Sequence, residues 1–220
     1  MRSLTIATLL LLAAAGAARS EDLDCRNGSF PATQQSFGLA KTAGPGKLYF
    51  LGDSDGCPND GPACRQRTYV LPGDTLVTGR GHGAYVCAFF PNKVGGTAGW
   101  VRRDRLTALP TATPPLEAWF GHWAYGDNDI QLSKRGKALH VDGEAYWPSA
   151  NPTPEERPGG PNIGALEGLA TPQAGRIQVG DGGMEFCKAT LVLLPPFLVA
   201  SDNGGCGGMN VRFDGVYRRR

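Results

Sequence analysis

Residues 202–220 read DNGGCGGMNVRFDGVYRRR. This stretch could be a site (a glycine-rich anion cradle, a metal loop or a basic tail) or the closing strand of a sheet. Met209, Val211, Phe213 and Tyr217 alternate with Asn210, Arg212, Asp214 and Arg218, with Gly215 in the apolar register and Val216 in the polar one. That period of two predicts a strand over 208–218 with one buried face. Gly215 marks a bend or a close neighbour, and the DNGG ahead of it suits a turn with positive backbone angles. A phosphate cradle would need a helix start or a Walker-type lysine after the glycines, and neither follows. The stretch therefore reads as the last hairpin of a β domain. Cys206 in its turn pairs most simply with Cys187, one strand pair earlier. Closing a ring of about 20 residues stabilises by roughly 3 kcal/mol in the chain-entropy account.

Upstream of this hairpin the same grammar repeats. Strand-sized pieces separated by glycine turns occur at 119–125, 129–133, 137–147, 163–170, 175–179, 184–194 and 197–201, with a proline-rich loop at 148–161. Such spacing predicts an antiparallel meander of about eight strands, closed as a barrel or folded as a sandwich. Residues 107–117, TALPTATPPLE, carry prolines at 110, 114 and 115 and read as an extended linker. The second domain is accordingly set at 118–220.

The first half is also β-rich. Residues 21–47 read as irregular and polar, and 47–51 (KLYFL) as a short strand. From 67 to 106 the order is strand, Pro-Gly-Asp turn, strand, glycine turn, an aromatic strand at 84–90, a glycine-rich hairpin, and a strand around Trp100. Gly73-Asp74 between two strands, the strand Tyr85–Phe90, and Gly99-Trp100-Val101 followed by Leu106 resemble a bacterial SH3-like domain. The resemblance implies a small five-stranded barrel over 21–106, with residues 36–51 standing where the family's first strand lies. In the second domain, Gly121-His122-Trp123 in the first strand and Arg218 in the last resemble the fingerprint of calycin-type barrels, such as lipocalins and small bacterial protease inhibitors. That resemblance implies that Arg218 covers the Trp123 indole in a cation–π contact. The fold expected is thus all-β: a small SH3-like barrel followed by a calycin-like meander barrel.

Composition places the chain in the envelope or outside the cell. Met1-Arg2 gives a positive start, 4–18 is mostly Leu, Ile and Ala, and Ala18-Arg19-Ser20 offers small residues for cleavage. The apolar run is shorter than the roughly 20 residues of a membrane span, so residues 1–20 read as a secretory signal peptide. The chain has 22 basic and 20 acidic residues, and loss of Arg2 and Arg19 leaves the two in balance. A near-neutral protein lacks the broad basic field of a nucleic-acid binder; the local clusters at 102–105 and 218–220 read as solvated surface. All six cysteines (25, 57, 64, 87, 187 and 206) follow the signal, which suggests disulfides in an oxidising compartment. Cys57 and Cys64 would close a short ring and leave Cys25 for Cys87; the other pairings of these four stay open. No C-x-x-C and no Cys/His spacing suggests a metal site. Asp53, Asp55 and Asp60 lack the glutamate that ends a calcium loop and read as turn formers. With 32 glycines and 17 prolines, long helices have little room.

Candidate binding residues are the aromatics Tyr85, Trp100, Trp119 and Trp147, which could stack on sugars or line a barrel mouth. Gly121, Trp123 and Arg218 read as structural. His82, His122 and His140 are scattered and have no nucleophile beside them, and neither G-x-S-x-G nor H-E-x-x-H occurs. Asp127, Asp129, Asp142 and Glu144 could supply a glycosidase pair but read as turn and solvent-face residues. The expectation is a periplasmic or secreted, non-enzymatic binding protein without cofactor. It would engage cell-wall material or a secreted or envelope protein, one version being inhibition of a hydrolase by loop 148–161 or 91–98. A carrier of a small apolar ligand in the second barrel is the alternative, and a cell-wall hydrolase ranks third.

Overall fold

The computed structural model describes residues 24–34, 36–54, 56–92, 95–180 and 187–220. The expected signal peptide at 1–20, Asp55, and the first residues of the strand expected over 184–194 lie outside the described residues. The described chain is all-β and forms two sheets, one of seven strands and one of eight.

The first sheet holds β1 (Gly38–Thr42), β2 (Leu48–Leu51), β3 (Arg65–Val70), β4 (Thr75–His82), β5 (Tyr85–Phe90), β6 (Thr97–Arg102) and β7 (Leu106–Leu109), in the order β3-β2-β6-β5-β4-β1-β7. Two of these strands were not expected. β1 lies in a stretch that reads as irregular, because Leu39 and Ala40 are buried side by side and no clean alternation results. β7 occupies the start of the expected linker and pairs with β1, Leu39 opposite Leu109. The proline-bearing residues 110–115 are free of strand.

The second sheet is the expected eight-stranded antiparallel meander. Its strands are β8 (Gly121–Tyr125), β9 (Asn128–Arg135), β10 (Ala138–Trp147), β11 (Asn162–Ala170), β12 (Arg176–Val179), β13 (Ala189–Leu194), β14 (Phe197–Asp202) and β15 (Gly215–Arg219). The order β11-β10-β9-β8-β15-β14-β13-β12 rolls the sheet into a near-closed barrel, with the seam between β11 and β12. The last strand is shorter than its pattern predicts. Asn210 has a φ of 67°, which no extended strand allows, and Met209 points into solvent, 78% exposed. Only Val211, Phe213, Gly215 and Tyr217 of the apolar register are buried. Gly215 does have a close neighbour: a Cβ there would lie 2.4 Å from the Tyr125 ring.

The barrel interior is filled by side chains from every strand, among them Trp123, Ile130, Leu132, Val141, Leu166, Ile177, Leu191, Leu198 and Tyr217. A 3₁₀ turn at Leu116–Trp119 places the Trp119 ring under one end, where its carbonyl accepts the Trp123 indole N–H at 3.0 Å. β13, β14 and β15 are also buried on their outer face. Leu194, Phe197, Val199 and Val216 join Leu39, Val77, Phe89, Ala98 and Trp100 of the first sheet in one apolar cluster. Phe197 to Ala200 are therefore all buried, alternately against the barrel interior and against the other sheet.

Three disulfides complete the frame: Cys25–Cys87, Cys57–Cys64 and Cys187–Cys206. The first ties the N-terminal segment to β5, where the Phe30 ring stacks on Phe89 at 5.5 Å. No helix among the described residues is long and apolar enough to cross a membrane.

Candidate functional site

The two ends of the barrel differ. At the Trp119 end the hairpin connections are short. At the other end stand the β8–β9 turn, the loop 148–161 and the loop 203–214. These form a rim whose central residue is Asn162, the first of β11. Its Nδ2 donates to the Met209 carbonyl at 2.7 Å, and its Oδ1 accepts from the Arg157 guanidinium at 2.6 Å. Arg157 in turn lies 5.6 Å over the Trp147 ring, and Trp147 is the cross-strand neighbour of Asn162. One amide thus holds both long loops at the barrel mouth.

The backbone tightens the same junction. The Gly208 N–H donates to the Ile163 carbonyl at 3.2 Å, and the Ala165 N–H to the Cys206 carbonyl at 3.0 Å. Gly164 and Gly207 form a bridge so close that a Cβ on Gly164 would lie 2.5 Å from the Cys206 carbonyl. Only glycine fits there. The Cys187–Cys206 disulfide fastens the loop from the other side. Within it, the Asp202 carboxylate accepts the N–H groups of Gly204 and Phe213, and Asp214 Oδ1 accepts the Asp202 N–H at 2.9 Å. Burial, with the neighbouring Asp202 charge adding to it, pushes the Asp214 carboxyl up to about 6, against the pull of the Asp202 N–H bond and, less strongly, of Arg212. In the 148–161 loop, Thr153 and Glu156 bond each other's backbone N–H reciprocally, as in a capping box.

Beneath the rim, Val211, Phe213 and Cys206 are buried and plug the barrel. Above it, Met209 and Ile163 stand in solvent, 78% and 57% exposed. The rim is thus an ordered surface with apolar side chains held out of it.

The aromatics expected to bind separate into two kinds. Trp100 and Trp119 are both fully buried and cannot meet a ligand. Trp100 lies between the sheets because its side of β6 faces the barrel, with the Arg80 guanidinium 5.8 Å from its ring. Trp147 reaches the rim. Tyr85 is half-buried on the first sheet, where its hydroxyl donates to Asp60 at 3.0 Å and Arg102 bridges Asp60 and Asp104, both at 2.6 Å. The arginine over the Trp123 indole is Arg219, at 4.8 Å, and not Arg218. Strand register decides this: Arg219 pairs with Trp123, whereas Arg218 pairs with Ala124, turns to the outer face and donates to the Pro91 carbonyl at 2.7 Å. Gly121, at φ 130°, would place a Cβ 3.4 Å from that same Arg219.

Among the candidate acids, Asp129 and Glu144 stand directly opposite each other on β9 and β10, and Asp127 lies near them around the Tyr146 hydroxyl. Asp127 accepts the Ala150 N–H at 2.9 Å, Asp129 lies 3.6 Å from His122, and Glu144 accepts the Tyr146 hydroxyl. His140 faces Glu167 at 3.8 Å, and the His82 ring lies against Trp100. Asn162, Arg157, Ile163 and Met209 were not singled out by sequence. The available signals were the paired glycines 207–208 and Gly164, which mark a close backbone approach.

Compared with protein-family models, curated proteins and solved structures, the chain matches none of them.

Proposed function

We propose that this chain is a periplasmic or secreted, non-enzymatic binding protein that engages a secreted or envelope protein through the rim of its second domain, in the manner of a hydrolase inhibitor. The observation that carries the reading is the contrast between the two sides of the barrel mouth. Inside, Phe213, Val211 and Trp123 fill the space a small apolar ligand would need. Outside, Met209 and Ile163 are held exposed by a disulfide, a glycine bridge and the Asn162 bonds. A rigid rim that presents apolar groups loses little conformational entropy on docking, which favours tight protein binding. The filled interior weighs against the carrier reading. Three disulfides accord with an oxidising compartment.

The Gly121-His122-Trp123 strand with Arg219 over the indole supports a calycin-type assignment of the barrel. The Gly99-Trp100-Val101 strand and the aromatic strand β5 support an SH3-like origin for the first half. A second reading, binding of cell-wall material, rests on the accessible Tyr85, Asp60 and Arg102 cluster.

The test is an inhibition screen of the mature protein against lysozymes of different structural types and secreted serine proteases, run beside co-sedimentation with cell-wall sacculi. Inhibition lost in Met209→Asp, in Trp147→Ala and on deletion of 149–160 supports the rim. Saturable sedimentation lost in Tyr85→Ala, without inhibition, moves the function to the first sheet. Binding that survives all of these changes overturns the proposal.

A further inference from the structure

Where the barrel meets the first sheet, a groove of about 480 Å³ runs beside the end of β15. Asn92, Tyr125, Arg218 and Arg220 line it with polar side chains. Three of these four side chains can offer a donor but no carboxylate or amide oxygen. Tyr125 is wedged between Phe89 and Tyr217, at 6.4 and 5.8 Å between ring centres, and burial holds its phenol above the ordinary value, so that it stays a neutral donor.

The arginines are fixed by backbone pairing. Arg218 sits opposite Ala124, and the Arg220 N–H continues the ladder by donating to the His122 carbonyl at 2.8 Å. Residues two apart on a strand project to the same side, so Arg218 and Arg220 stand together on the groove side, while Arg219 is committed to Trp123. Arg218 donates to the Pro91 carbonyl and Arg220 to the Gly126 carbonyl at 3.4 Å. Neither forms an ion pair among the described residues. Two like charges line one groove, each hydrogen-bonded to a carbonyl and Arg218 also 5.8 Å from the Phe197 ring, and an anion there would relieve their repulsion. A carboxylate has two oxygens and satisfies one guanidinium fork. A phosphate group has three or four, and can accept from both forks at once.

We propose that this groove binds a phosphate group, clamped between Arg218 and Arg220. The volume suits a small molecule or the head of a larger one. The proposal is independent of the rim reading, since the two use different residues.

The experiment is titration of the mature protein with inorganic phosphate in a calorimeter at constant ionic strength, alongside sedimentation with vesicles containing phosphatidic acid. Wild type, Arg218→Gln, Arg220→Gln and a control, Arg65→Gln on the first sheet, are compared after circular dichroism confirms their fold. Saturable phosphate binding, weakened about fivefold by each groove substitution and unchanged by the control, is expected. Free phosphate binding without vesicle binding identifies a soluble phosphate ester as the natural source. Vesicle binding lost in the two groove variants identifies a lipid headgroup. Absence of both, or binding that Arg218→Gln and Arg220→Gln leave unaltered, overturns the proposal.

Discussion

Replacing Asp214 by Asn should stabilise the protein, and more so at neutral than at acid pH. Asp214 lies in the rim loop beside Asp202, and its Oδ1 accepts the Asp202 N–H at 2.9 Å. Burial, then the Asp202 charge, raises its pKa from 3.8 to about 6. In the unfolded chain the group returns to about 3.9. Between roughly pH 4 and pH 6 the folded form therefore holds a proton that the unfolded form has released, and stability falls as pH rises through that window. A displacement of about two units corresponds to about 3 kcal/mol. Asn has an oxygen at the same position and no charge, so it keeps the Asp202 bond and removes the titration. Urea unfolding of both proteins at several pH values provides the measurement. The variant-minus-wild-type difference should grow by about 3 kcal/mol from pH 4 to pH 7.5, with most of the change below pH 6. Taking the difference cancels groups common to both, such as Asp104, which its bond from Arg102 holds below the ordinary carboxylate range. A flat difference, or one that shrinks as pH rises, would refute the reasoning.

Three further outcomes are expected. Removing the Cys187–Cys206 bridge with paired serines should cost about 3 kcal/mol for its ring of 19 residues' separation, and peptide mapping under non-reducing conditions should show the link in wild type. Phe197→Ala empties a site between the sheets and should cost about 3 kcal/mol; limited proteolysis at 110–115 should then accelerate, and an unchanged rate would contradict the shared core. Arg219→Met should shift the Trp123 indole resonance and cost up to about 1 kcal/mol, whereas Arg218→Met should leave that resonance in place.

The barrel was legible because its strands alternate. Leu139, Val141 and Ala145 of β10 are buried while Asp142 and Glu144 are exposed, and glycine turns separate such strands at regular distance. The pairing of Cys187 with Cys206 followed from the same spacing. β1 escaped because its buried residues are adjacent, a consequence of neighbours on both sides that no local pattern announces. β7 was hidden by the prolines that follow it. In the last strand, Met209 continued the alternation by coincidence, across an Asn210 whose left-handed backbone ends any strand. The site was less legible than the fold. Trp100 and Trp119 look like binding aromatics only until their burial is known, and Arg219 differs from Arg218 by one step of register. The Asn162 hub joins residues from three separated segments, a relation that distance along the chain conceals.

The two-faced burial of β13, β14 and β15 also governs how the molecule can be divided. In an ordinary surface strand every second position faces water and tolerates change; between Phe197 and Ala200 no position does. A chain cut within the proline-rich segment would release a barrel wearing a greasy stripe of Leu194, Phe197, Val199 and Val216. Such a stripe would seek another copy of itself. The proline-rich border seen in the sequence is thus a poor place for scissors, and the smallest well-behaved version of this protein contains both halves.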